Sequence, residues 1–265
     1  MFTKTLLACR VNALFLTLLI FSNQSYAQNA TAPVNVPDWA LPGSPTHKQV
    51  PPPAGFHRAT RTDNTKIGIF AGQSDVGGAL VQGSSRFNPA TGEYSIVSAG
   101  YNVWYQRDEF RFIWQKMSGN LSLAADIRFP DTAGYGDRKG FVIIRQSLND
   151  DSKEAMVALH GAGLLHLAWR AAPGEMMKEV RINERENLPD LYTGKITRIG
   201  IEKKEDSIAL YVSVNGGAMQ QLGQKIKLHF DGPFYVGLGF CSHLPAKVDE
   251  VVFSNLVLEN KSGKL

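Results

Sequence analysis

The sequence predicts an all-β domain, a sandwich of two antiparallel sheets, and three observations carry that prediction. Short runs rich in Val, Ile, Leu and Phe recur between residues 84 and 259 at the spacing of neighbouring strands. The breaks between them have reversal chemistry, as in Asn88-Pro89-Ala90-Thr91-Gly92, Ser118-Gly119-Asn120, Gly161-Ala162-Gly163 and Asn215-Gly216-Gly217. Few segments sustain a helical period.

Taken in order, the first element lies outside the domain. Met1 to Ala27 reads as a secretory signal, with Lys4 and Arg10 as its basic start, Ala13 to Phe21 as its apolar run and Ser25-Tyr26-Ala27 as its small-residue cleavage site. The apolar run is well short of the roughly 20 residues that span a bilayer, so no transmembrane span is expected once the signal is removed. Cleavage after Ala27 takes away two cations and no acids, which lowers the formal charge from +4 to +2. So small an excess gives no electrostatic case for nucleic acid. It also removes Cys9, leaving Cys241 as the single thiol, and one thiol forms no internal disulfide. The core must hold the fold unaided, which a chain of this length can do.

Residues 28 to 60 read as a Pro-rich linker. Seven of the thirteen prolines fall between Pro33 and Pro53, and proline withdraws amide donors and fixes φ, favouring extended chain over packed structure. Trp39 is expected to dock on the domain. Residues 61 to 265 then form one β-sandwich domain. Its predicted strands are Ser84 to Asn88, Glu93 to Ala99, Phe110 to Gln115, Leu121 to Phe129, Gly140 to Gln146, Ala155 to His160 and Leu164 to Arg170. Beyond these come Lys195 to Glu202, Ser207 to Val214, Lys225 to Phe230, Phe234 to Cys241 and Val248 to Glu259, with room for a brief helix near Pro189 to Thr193.

Several strings in this domain also carry a resemblance. Tyr94-Ser95-Ile96-Val97, Gly100-Tyr101-Asn102-Val103-Trp104, Asp108-Glu109-Phe110-Arg111-Phe112, Ser118-Gly119 and Arg145-Gln146-Ser147-Leu148 occur in that order. Ala158-Leu159-His160-Gly161, Pro233 to Gly239 and Cys241-Ser242-His243 extend the series over nearly all of residues 67 to 258. The whole resembles exported bacterial domains of the concanavalin A-like lectin/glucanase (laminin G-like) superfamily, in a branch sometimes labelled as Tol-type biopolymer transport proteins. The resemblance implies a jelly-roll sandwich with one concave sheet, and it implies no particular activity.

Enzymatic motifs are sparse. Sandwich glucanases set their two carboxylates on one strand as Glu-x-Asp-x-x-Glu or a close variant, and that string is absent. Asp249-Glu250 points its members to opposite faces, and Glu184-Arg185-Glu186 sits in a charged, solvated stretch. Gly-x-Ser-x-Gly is missing, and Cys241 lies in an apolar strand where a lone thiol packs as a small hydrophobe. Asn149-Asp150-Asp151 lacks the alternating spacing of a calcium loop, and the histidines are scattered, with only His160 and His166 facing each other across a hairpin. No cofactor or metal motif is found.

What remains is a set of polar residues in apolar strands. Arg145 shares strand parity with Phe141 and Ile143, His160 with Met156 and Ala158, and Arg170 closes the next strand. If the strands are neighbours, the three should meet near one sheet end, where guanidinium forks suit a carboxylate or paired sugar hydroxyls. The competing expectation is that Arg145 pairs with Asp108 or Glu154. Trp104 and Tyr135 offer rings on which a pyranose can stack, and Asp108 and Arg138 can orient a sugar from the rim or form an ion pair with each other. The leading expectation is therefore a periplasmic or secreted module that binds a glycan or other polar cell-envelope ligand on its concave face. Its alternatives are a non-catalytic interaction domain with an envelope protein partner, and a carbohydrate-active hydrolase whose carboxylates come from different strands.

Overall fold

The computed structural model describes residues 38, 44–48, 51, 58–182 and 196–265. The predicted signal, Trp39 and the predicted helix near Pro189 lie outside them. The domain is a sandwich of two antiparallel sheets, as the sequence predicts. The eight-stranded sheet runs β1 (Arg61–Asp63), β2 (Gly72–Val76), β7 (Phe110–Met117), β16 (Phe234–Cys241), β9 (Lys139–Arg145), β10 (Glu154–His160), β11 (Leu165–Arg170), β12 (Lys178–Arg181). The seven-stranded sheet runs β15 (Gln220–Lys227), β14 (Ser207–Val214), β13 (Ile196–Lys204), β8 (Leu121–Arg128), β17 (Asp249–Glu259), β4 (Glu93–Ser98), β3 (Ser84–Asn88). A small ribbon of β5 (Val103–Trp104) and β6 (Arg107–Asp108) completes the set.

Three predicted strands coincide with their observed bounds, namely Ser84–Asn88, Ser207–Val214 and Phe234–Cys241. The strand expected over Lys225 to Phe230 instead spans Gln220–Lys227, because its first half is polar edge strand without apolar alternation. For the same reason β1, β2 and β12 carry no strand signal. Their pairing partners, rather than their own side chains, make them strands.

Alternation along the central strands builds two apolar layers. Val142 and Ile144, Val157 and Leu159, Leu165 and Leu167, and Val236 and Leu238 face the interior, against Ile96, Leu123, Ile201, Leu210, Val251 and Phe253 of the other sheet. The opposite parity is apolar too. Phe110, Phe112, Phe141, Ile143, Met156, Ala158 and Ala168 form a second cluster on the outer face of the eight-stranded sheet, closed over by Val103 of the ribbon and by Met177. Strands buried on both faces read as near-continuous hydrophobic runs, which is why Phe141-Val142-Ile143-Ile144 shows no alternation. Gly239 is needed in that layer, since a Cβ there would lie 2.1 Å from the Phe141 ring. The outer face is thus covered over its middle and shaped by what covers it.

Candidate functional site

At the Glu154 end of β10 the roof is fastened by charge. Antiparallel register sets Glu154 opposite both Arg145 of β9 and Arg170 of β11. Asp108 of β6 descends between the two arginines. Arg170 grips it with both Nη atoms, Nη2 to Oδ1 at 2.7 Å and Nη1 to Oδ2 at 2.8 Å, and Arg145 Nη1 donates to Oδ2 at 2.8 Å. Arg145 also pairs with Glu154. The remaining donors go to backbone carbonyls: Arg145 to Ser147 and Asn149, and Arg170 to Ser152, Glu175 and Tyr105. All four charged side chains are wholly buried. Burial pulls the Arg145 guanidinium down to about 10, and Asp108 beside it keeps it charged.

Two arginines and two carboxylates balance each other's charge in a wholly buried cluster, in which the Glu154 oxygens are held by ion pairing alone, without a hydrogen bond among the described residues. The expected meeting of Arg145, His160 and Arg170 therefore does not occur. Arg145 and Arg170 do meet, but around Asp108 and Glu154, while His160 stands at the far end of the same strand. The parity assignment is right and the end is wrong, because adjacent antiparallel strands run oppositely: the last residue of β9 or β11 faces the first residue of β10, not its last. Asp108 and Arg138 are not paired with each other either. Arg138, 3% exposed, donates to Asp249 Oδ2 at 2.6 Å and to the Asp131 carbonyl at 2.5 Å, with its guanidinium over the Phe129 ring.

The His160 end is open. A cleft of about 310 Å³ lies there, lined by Asn102, Trp104, Tyr105, Asp137, Lys139, His160, Leu164, His166, Glu179, Arg181 and His243. Register explains the convergence: Lys139 pairs with His160, and His166 with Arg181, so four neighbouring strands deliver polar residues to one place. The ribbon supplies the wall with Asn102 to Tyr105. The loop after β16 supplies His243. Tyr105 and His243 both hold left-handed backbone, with φ of 57° and 63°.

The histidines give the cleft its character. His160, His166 and His243 are 6%, 2% and 2% exposed. His166 Nδ1 lies 2.8 Å from Glu179 Oε2, its ring stacks on Trp104 at 5.6 Å, and the His160 ring meets it edge-on at 5.0 Å. Asp137 Oδ1 is 3.7 Å from His160 Nδ1, beyond direct hydrogen bonding. Among the described residues neither nitrogen of His160 or His243, nor Nε2 of His166, has a hydrogen-bond partner. Burial lowers all three imidazoles, His160 to about 4, so they are neutral at pH 7. Glu179 is pulled both ways: burial would raise it, and its bonds from His166 and Arg181 outweigh that and hold it below the usual carboxylate range. An ionised Glu179 only accepts, so Nδ1 of His166 carries the proton and Nε2 presents a lone pair.

Of the predicted site residues, Trp104 and His160 line this cleft. Tyr135 stands behind it, stacked on His243 at 5.6 Å. Sequence reasoning missed Lys139, His166, Glu179, Arg181, Asn102, Asp137 and His243 as a group. Lys139 had a signal, since it shares parity with Phe141, Ile143 and Arg145, and so does His166 with Arg170. The loop residues had none. Cys241 is buried beneath the cleft with its thiol pushed up to about 12 by desolvation, in keeping with a packing role. Among the described residues no three His, Cys, Asp or Glu side chains converge as metal ligands, and no helix is long and apolar enough to cross a membrane.

No family model matches the chain, and no curated protein matches it. Solved structures do. A functionally unknown protein from Saccharomyces cerevisiae aligns over 67% of this chain and 96% of its own, with a TM-score of 0.49 and 12% identity. The carbohydrate-binding module CBM66 from Bacillus subtilis aligns over 67% and 92%, with 0.42 and 14%. Lectin I-B4 from Griffonia simplicifolia aligns over 67% and 91%, with 0.38 and 10%. These similarities are of fold, and what the cleft can hold follows from this chain's own residues.

Proposed function

We propose that the chain is an exported β-sandwich module that binds a glycan or other polar envelope ligand in the cleft at the Lys139–His160 end of the eight-stranded sheet. Export rests on the signal pattern of Met1 to Ala27. One observation carries the binding reading. Three histidines that line the cleft, His160, His166 and His243, carry five buried imidazole nitrogens without protein partners among the described residues. A polar group buried without a partner costs about 1–3 kcal/mol, so a fold that keeps several together around an opening is disposed to bind what satisfies them. Hydroxyl groups do so, since each donates and accepts as a neutral imidazole does. Trp104, with His166 stacked on its ring and Lys139 over it, adds apolar ring surface to the cleft wall, against which the C–H groups of a sugar can pack.

Hydrolysis is the weaker reading. Asp137 and Glu179 share the cleft, but both carboxyls lie below their ordinary range, Asp137 with His160 beside it and Glu179 with His166. A glycosidase needs one carboxyl protonated as its acid. A glycan screen of the full chain tests the proposal, repeated with His160→Ala and Trp104→Ala. Binding that weakens about 10-fold or more in both variants is the expected result. Binding that neither substitution changes places the site elsewhere.

A further inference from the structure

The chain's buried cations separate by how they are neutralised. Arg145 and Arg170 share Asp108 and Glu154, Arg138 has Asp249, and Arg111 has Asp75 at 3.1 Å. Lys203 has no carboxylate at ion-pair distance among the described residues and donates to the carbonyls of Gly119 and Glu205. Lys139, 3% exposed, is provided for differently. Its Nζ donates to Asn102 Oδ1, an oxygen that already accepts the Val103 amide, and it lies 5.7 Å over the Trp104 ring. Among the described residues no carboxylate stands at ion-pair distance from it. Three donors and a full charge thus have one neutral acceptor, at the wall of a cleft.

Of the cleft's own carboxylates, one is engaged elsewhere and the other stands at the rim, where its charge reaches Lys139 without forming an ion pair. Glu179 accepts from His166 and from Arg181 Nε at 2.7 Å, and Asp137 sits at the rim with its side chain 46% exposed. The imidazoles bring no charge, while Nε2 of His166 offers a lone pair that only an O–H or N–H can use. A ligand complementary to this wall has one negative group for Lys139, a hydroxyl for His166 and a flat C–H face for Trp104. Burial pulls the Lys139 ammonium below its ordinary value, and an anion beside it would restore the charge.

We infer that the ligand is an acidic sugar, a hydroxylated ring bearing one negative charge that Lys139 pairs. The inference rests on the reading of the cleft as a glycan site, and it narrows that reading to uronic acid or sulfated residues, which share this chemistry.

Calorimetric titration of the full chain with trigalacturonate, its methyl ester and a 6-sulfated galactose trisaccharide tests it, alongside a neutral glycan panel. The expected result is that one charged trisaccharide binds at least about 10-fold more tightly than the ester, the worth of a charge-assisted hydrogen bond. Whichever it is identifies the source of the charge. Lys139→Met, an apolar replacement that buried sites tolerate, should abolish the difference, and Lys139→Arg should retain part of it. Ester and charged sugars binding equally would overturn the inference while leaving the glycan reading intact. Binding by no sugar in any arm would overturn both.

Discussion

The two ends of strand β10 are built from the same kinds of residue and do opposite things. At Glu154, two guanidinium groups and two carboxylates are packed without solvent, with their charges matched and the arginine donors spent. At His160, three imidazoles, a lysine and two carboxylates line a cleft where, among the described residues, several imidazole nitrogens are unpartnered and Lys139 has no carboxylate at ion-pair distance. The difference teaches that polar residues in apolar strands are ambiguous by type and are decided by pairing. A charge-matched, wholly buried network fastens structure, here by holding the β5–β6 ribbon over the outer apolar layer. A cleft whose imidazoles lack partners is, on the proposed reading, where a ligand would supply them.

That contrast breaks most sharply by mutation. Asp108→Ala strands Arg145 and Arg170 as buried cations facing a single carboxylate, and removing one partner of such a group costs about 3–5 kcal/mol. For a domain of this size that corresponds to a fall in melting temperature of roughly 10 °C or more, read by differential scanning calorimetry. His160→Gln, at the other end of the same strand, should move stability by about 1 kcal/mol at most while weakening ligand binding about 10-fold. Equal thermal losses at the two ends would erase the distinction between fastening and binding.

A smaller effect comes from pH. The His160 imidazole falls from an ordinary 6.5 to about 4 on burial, among Asp137, Lys139 and His166. Between those values the unfolded chain holds a proton that the folded chain does not. Its contribution is therefore full above pH 6.5 and is lost as pH falls through about 4. His160→Gln should flatten the acid limb of a plot of urea midpoint against pH. Glu109 gives the opposite sign. Buried beside Arg58, it rises from 4.5 to about 8, so the folded chain holds the extra proton, and stability is full below pH 4.5 and lost as pH rises through 8. Glu109→Gln should flatten the alkaline limb. The two trends oppose each other between pH 4.5 and 6.5, so each is read as a variant-minus-wild-type difference.

Much of the fold was legible in the residues, for physical reasons that also mark the limit. The central strands announce themselves because both their faces are buried, as Phe141 to Ile144 and Met156 to Leu159 show. Strand β2, Gly72–Val76, is just as buried but polar, and only its partners Phe110 to Trp114 make it a strand. The Glu154 network is legible in part: the pairing of Arg145 with Asp108 or Glu154 is among the expectations and both pairs form, whereas the Gly161-Ala162-Gly163 turn fixes a hairpin register that sets Arg170, not His160, beside them. The cleft was legible only in part. His160, His166 and Lys139 lie at predictable strand ends, whereas Asn102, Asp137 and His243 arrive on loops whose course depends on the packed sheet beneath them.

The claim that the histidine end binds and the arginine end fastens is tested most directly by nuclear magnetic resonance of the imidazole and guanidinium nitrogens during titration with a glycan that the chain binds. The account predicts shifts at His160, His166 and His243 that saturate with binding, while the Nε signals of Arg145 and Arg170 stay fixed. Saturating shifts at the two arginines with the imidazoles unmoved would contradict it.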